Sequence, residues 1–178
     1  ATHPSPPKYL YQNAKRDILI AGITNKFTLQ NCKMALDSAM GRGVKIRMLF
    51  LSPNSRDTDI VKTINKRGES FHVEFLGLRE ILKNDSSFMN NPNLEIRFFD
   101  NLPPFVGVLI DADLDSLDSD INKGAIVRVA PYLKSPIHND WIFQFTNDGV
   151  TKNAFNDFAH EFEHMWNVLS KPHPEYFR

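Results

Sequence analysis

The chain has 178 residues, the size of one ordinary domain. Its 42% hydrophobic and 24% charged residues exclude a disordered tail, a collagen-like fibre and a disulfide miniprotein. The 21 Lys and Arg residues balance 21 Asp and Glu, so no global charge draws the chain to nucleic acid or an anionic membrane. The single cysteine, Cys32, has no internal disulfide partner and fits a reducing, cytoplasmic setting. The longest apolar run, Phe105 to Ile110, is strand-sized, far short of the roughly 20 residues of a membrane helix.

The opening Ala-Thr-His-Pro-Ser-Pro-Pro reads as a linker at the edge of something longer. Residues 1–8 are therefore set apart from a single domain over 9–170 and a tail over 171–178. Tyr9 to Lys15 predicts a short helix. Asp17 to Ile23 is almost continuously apolar, as a strand covered on both faces requires. After a turn at Thr24 and Asn25, the residues Leu29, Cys32, Leu36, Ala39 and Met40 fall on one helical stripe. Gly41-Arg-Gly43 ends that helix, and Val44 to Leu51 is the next strand. Such a strand–helix–strand unit predicts a parallel crossover.

Further along, Asp57 to Lys66 and Phe71 to Lys83 predict helices. Strands are expected at Leu94 to Phe99, Phe105 to Ile110, Ala125 to Val129 and Trp141 to Phe145, with a stiff Asn101-Leu-Pro-Pro104 turn between the first two. Thr151 to Leu169 is the strongest helix.

Several constellations invite a chemical reading. His160-Glu-Phe-Glu-His164 matches the His-Glu-x-x-His spacing of zinc proteases. At about 100° per residue, however, His160 and His164 point away from the apolar face of Phe155, Phe158, Phe162, Met165 and Leu169. An exposed His pair is expected there, with a metal-dependent hydrolase on His160, Glu161 and His164 as a minor alternative. Five aspartates fall between Asp111 and Asp120. Asp111, Asp113 and Asp115 match the first ligands of a calcium loop, but Ser116 and Asn122 stand where its glycine and bidentate glutamate belong. A solvated acidic loop is the expectation. Arg42, Lys45, Arg47, Lys62, Lys66 and Arg67 form the densest basic stretch, but they spread over several elements, so nucleic acid is not an expected partner. Cys32 is expected to be an inert core residue. Fourteen phenylalanines should mostly fill core. Phe88, Phe105 and Phe177 lie near predicted turns, where exposure would mark a partner surface.

The order of these pieces resembles the phospholipase D-like superfamily. The resemblance rests on Ile18 to Ile23, on the helix closing at Gly41-Arg-Gly-Val-Lys-Ile-Arg-Met-Leu-Phe-Leu-Ser-Pro53, on Phe105 to Asp111, and on the Phe155, Phe158, Phe162 and Trp166 helix. It spans roughly residues 9 to 169. It implies one α/β domain with a mixed, largely parallel sheet flanked by helices on both faces. The family signature is His-x-Lys-x4-Asp, with the histidine as phosphoryl-accepting nucleophile. With the aspartate placed on Asp111, Pro104 and Val106 stand where His and Lys belong; with Asp113, Val106 and Val108 do. Neither register supplies a nucleophile or a phosphate cation.

The resemblance thus implies the fold and argues against the family chemistry. The expectation is a catalytically inactive domain of a larger intracellular protein, acting in ligand sensing or association, with no catalytic residue, metal or cofactor. A single repeat implies a homodimer, since the family builds its site from two signatures. A small-molecule ligand would lie where strand ends converge, lined by Thr24, Asn25, Ser52, Asp100, Phe105 and Asp111. The alternative is a phosphodiesterase or nuclease with a rearranged site near His138, Asn139 and Asp140.

Overall fold

Apolar side chains on both faces of β1 (Asp17–Ala21) bury it in the middle of a seven-stranded sheet. This computed structural model describes residues 7–60, 70–117, 120–131, 142–149 and 153–177. On one side of β1 lies β2 (Lys45–Leu51), parallel, with Asp17 opposite Lys45 and Ala21 opposite Leu49. On the other lies β4 (Phe105–Ile110), antiparallel, with Ile18 opposite Ile110 and Ala21 opposite Gly107. The remaining strands are β3 (Leu94–Phe99), β5 (Ile126–Pro131), β6 (Phe143–Thr146) and β7 (Ser170–Lys171). Their order is β6-β5-β4-β1-β2-β3-β7.

The sheet is mixed, as expected, but its parallel part is confined to β1, β2 and β3. Of the described pairings, two are parallel and four antiparallel. The reason lies in the connection from β3 to β4. Residues Asp100 to Pro104 are too few to return the chain to the far end of the sheet, for which a parallel crossover needs a dozen residues or more. They cross the ends of β2 and β1 instead, and β4 runs back antiparallel.

Helices cover both faces. On one face α1 (Pro7–Asn13) packs on α2 (Lys26–Gly41), and α2 packs on α3 (Phe71–Lys83), which is followed by the short α4 (Ser86–Met89). The stripe of Leu29, Cys32, Leu36, Ala39 and Met40 is buried as its spacing predicts. The Arg42 guanidinium donates to the carbonyls of Tyr11, Gln12 and Ala14 at 3.3, 2.9 and 3.2 Å. It thereby satisfies groups that the end of α1 leaves without intrahelical partners. On the opposite face lies α5 (Ala154–His164), continued by a π-helical turn, Met165–Leu169. Its Phe158 and Phe162 rings meet Phe105 of β4 at centroid distances of 5.4 and 5.2 Å. The π turn seats Trp166 beneath the Arg97 and Arg47 guanidiniums, 4.3 and 5.8 Å from the ring.

Most of the expected helix over Asp57 to Lys66 and part of the strand over Trp141 to Phe145 lie outside the described residues, as does most of the opening linker. The segment expected as a tail folds back: β7 pairs with β3, and Pro174–Phe177 forms a 3₁₀ turn.

Two outcomes follow for stability. A Cβ on Gly107 would lie 2.3 Å from the Arg128 carbonyl oxygen and 3.1 Å from the Val129 Cα. Backbone in a central strand cannot give way, so Gly107→Ala should destabilise the domain by about 2 kcal/mol or more, measured by urea unfolding. Burial pushes the Tyr11 phenol well above its ordinary range, and pushes the Cys32 thiol up too. Above about pH 10 the unfolded phenol ionises while the folded one stays protonated, so folding free energy falls as pH rises. Unfolding measured from pH 8 to 11 should show that loss, with Tyr11→Phe flattening it by at most about 1.4 kcal/mol per pH unit.

Candidate functional site

Because β4 reverses, the C-terminal ends of β1, β2 and β3 share one end of the sheet with the N-terminus of β4. The turn after β1 brings Thr24 and Asn25 there, the exit of β2 brings Ser52, and the exit of β3 brings Asp100. Thr24 is 4% exposed and its hydroxyl donates to Glu74 Oε2 on α3 at 3.0 Å. Asn25 sits in the left-handed region at φ 50°, and its amide donates to the Leu49 carbonyl at 2.8 Å. That amide lies directly over Gly22, where a Cβ would come within 2.1 Å of Asn25 Oδ1, so only glycine permits the tuck. Ser52, 1% exposed, accepts the Asn54 amide N–H at 3.2 Å and contacts the Tyr176 hydroxyl at 3.4 Å.

The Asp100–Pro104 crossing is held from below. Ser55 Oγ donates to the Asp100 carbonyl, and Asp57 Oδ2 accepts the Leu102 amide at 2.6 Å. The Asp100 side chain itself is exposed. Phe105 begins β4 at this end, but its ring is 6% exposed and turned to the α5 face against Phe158 and Phe162. The structure therefore gathers Thr24, Asn25, Ser52 and Asp100, and places the Phe105 ring in core beside them.

Asp111 is at the opposite end of the sheet, beyond the last residue of β4 and next to the start of β1. It adopts φ 58°, and its Oδ1 accepts the amides of Lys15 and Arg16 at 2.7 and 2.8 Å. The Arg16 guanidinium donates to its carbonyl, and its own amide donates to the Asp17 carbonyl at 2.8 Å. Asp111 thus staples the approach to β1 and lines no common site with the other five residues. The acidic loop it opens is filled by Asn122, which is fully buried. Asn122 Oδ1 accepts the Asp113 amide at 2.7 Å, and its Nδ2 donates to the carbonyls of Ser116 and Leu117 at 2.6 and 3.1 Å.

The remaining motifs resolve similarly. His160 and His164 are exposed, on the side of α5 away from buried Phe155 and Phe162. Cys32 is a buried free thiol. In the basic stretch, Arg42 caps α1 and Arg47 approaches Asp17 at 3.4 Å beside Trp166. Lys62, Lys66, Arg67 and the His138, Asn139, Asp140 cluster lie outside the described residues. Phe88 and Phe105 are buried, and Phe177 is half-buried against Phe75 and Phe98. Sequence reasoning missed Glu74, Asn54 and Tyr176 at the gathered end. Glu74 and Tyr176 come from elements with no sequence signal linking them to the strand ends.

Asp111→Ala should lower stability by about 1–3 kcal/mol in urea unfolding, because two backbone amides lose their acceptor. It should leave any ligand affinity at the other end of the sheet unchanged, by calorimetric titration.

Several solved structures are similar to this chain. TrmBL2, an archaeal chromatin protein with a novel mode of DNA binding, is 16% identical over 92% of this chain, at a TM-score of 0.51. The present chain spans 47% of the TrmBL2 chain. Nuc from Salmonella typhimurium, a phospholipase D family member, matches 93% of this chain and 87% of its own at 11% identity and a TM-score of 0.49. NucT from Helicobacter pylori matches 91% and 86% at 14% identity and a TM-score of 0.45. No curated protein matches the sequence. A family model covers residues 3–172, nearly the whole chain. The chain belongs to the family described as Domain of unknown function (DUF5919).

Proposed function

We propose that this chain is a phospholipase D-like domain that works by binding and association and not by phosphodiester hydrolysis, within a larger intracellular protein. The observation that carries the reading is the pair Pro104 and Val106 at the entry to β4. They stand beside the converged strand ends, and with the signature's aspartate taken as Asp111 they fall where its nucleophilic histidine and phosphate-holding lysine would be; taken as Asp113, Val106 and Val108 do. A pyrrolidine and an isopropyl group neither accept a phosphoryl group nor neutralise a phosphate. The polar groups gathered there, Thr24, Asn25 and Ser52, are hydrogen-bonded within the fold. They suit a ligand of low charge.

A second repeat would complete the family's two-part arrangement, and a second copy of this chain is the partner proposed for that role. TrmBL2 is described as binding DNA, but here the Arg42 and Arg47 guanidiniums already have partners within the chain, which favours a partner other than nucleic acid.

Bis-p-nitrophenyl phosphate and DNA should remain uncleaved by the purified chain, with or without EDTA, and sedimentation should give twice the chain mass. Turnover that disappears in Ser52→Ala or His160→Ala would overturn the non-hydrolytic reading, since a contaminating nuclease is indifferent to either change.

A further inference from the structure

The segment after the π turn leaves the α5 face, crosses the edge of β3 as β7 and arrives on the opposite face. Only Lys171 and Ser170 pair with the sheet, opposite Phe98 and Phe99. The following Pro174–Phe177 turn has no buried residue. Yet its two aromatic side chains are placed with care. The Tyr176 ring stands edge-on to Phe98 at 4.9 Å and 90°, and to Phe75 at 6.5 Å and 86°. Phe177 stacks on Phe75 at 6.3 Å and lies 5.5 and 6.2 Å from Phe98 and Phe50. At the polar end, Asn54 Nδ2 donates to the Tyr176 hydroxyl at 3.0 Å, and Ser52 Oγ lies 3.4 Å from it. Beneath the segment lie three phenylalanine rings and, at the polar end, a hydroxyl and an amide. That is the chemistry that recognises an aromatic ring carrying a hydroxyl.

We propose that the groove of Phe50, Phe75, Phe98, Ser52 and Asn54 is a binding site for a small hydroxylated aromatic molecule, which Tyr176 and Phe177 occupy as a releasable internal cover. The proposal deepens the binding-domain reading, since Ser52 belongs to the converged strand ends, and it rests on that reading. Release breaks few backbone bonds. The cover is held by a two-residue strand, its own turn (Tyr176 N–H to the His173 carbonyl, 3.1 Å), one hydroxyl and the ring contacts above, to which His173 adds a stack on Tyr176 at 5.0 Å. Segments with so few buried backbone bonds open well below the cost of global unfolding. A cover that fills the site most of the time weakens the apparent affinity for a free ligand by the fraction of time the site is open.

The test compares the full chain with its Tyr176→Ala/Phe177→Ala variant, using 4-ethylphenol as probe and ethylbenzene as control in ligand-observed NMR titrations. The variant should bind 4-ethylphenol about tenfold tighter than the unaltered chain. It should prefer 4-ethylphenol to ethylbenzene, and adding Ser52→Ala with Asn54→Ala should abolish that preference. Equal affinity in the two chains, or no preference for the hydroxyl, overturns the proposal. So does a Pro-Glu-Tyr-Phe peptide that binds the variant when 4-ethylphenol does not. If the double variant loses its cooperative melt, Tyr176→Phe replaces it, which keeps the ring and removes the hydroxyl tether. Unchanged 4-ethylphenol affinity in Tyr176→Phe then overturns the proposal. Phosphodiester turnover would defeat the non-hydrolytic reading while leaving these titrations interpretable, so the two failures are separable.

Discussion

The reversal of β4 beside β1 is the constraint on which the rest of the molecule depends. β1 is hydrogen-bonded on both sides and covered on both faces, so its two neighbours fix everything outward of them. One neighbour is parallel and comes through a helical crossover. The other is antiparallel because Asp100 to Pro104 bridges only the near end of the sheet. That bridge brings the entry of β4 to the exits of β1, β2 and β3, and sends Asp111 to the far end. The gathering of Thr24, Asn25, Ser52 and Asp100 at one end and a structural staple at the other are two consequences of one short connection.

The aromatic residues divide along the same sheet. Phe105, Phe145, Phe158 and Phe162 pack on the α5 side. Phe50, Phe71, Phe75, Phe98 and Phe177 pack on the α3 side. Alternation along each strand makes the partition: Phe98 and Phe50 are register partners and point one way, while neighbouring residues of both strands point the other. The α3 side closes through the folded-back Tyr176 and Phe177, where the described rings meet polar groups at the strand ends.

Charge is spent on architecture. Arg42 completes one helix, Arg47 and Arg97 pack on Trp166, and Lys33 of α2 bridges Asp37 on the same helix and Asp85 at the start of α4. The Lys33 ammonium, with the amide of Phe88 and the hydroxyl of Ser87, holds the Asp85 carboxyl far below the usual carboxylate range. The neutral net charge read from the sequence thus has a structural counterpart: several of its cations already have partners within the fold.

Much of the fold was legible in the residues. The bounds of α3, β3 and β4 coincide with their sequence patterns, because each is a strongly periodic apolar run between clear breakers. The burial of Cys32 and the exposure of His160 and His164 followed from helical spacing alone, which is a local property. Strand direction was not local, and the reading of a largely parallel sheet failed on β4, whose polarity depends on which strand it joins. For the same reason Thr24, Asn25, Ser52 and Asp100 could be placed at one end while Asp111 was misplaced. Tyr176 carried no signal, since a Pro-flanked segment reads as a tail until another part of the chain gives its ring a groove. The sequence by itself determined most of the elements and their buried faces, because these are matters of spacing and side-chain chemistry. Tertiary structure alone decided strand polarity, the role of Asp111 and the seat of Tyr176, because each depends on contacts between residues far apart in the chain.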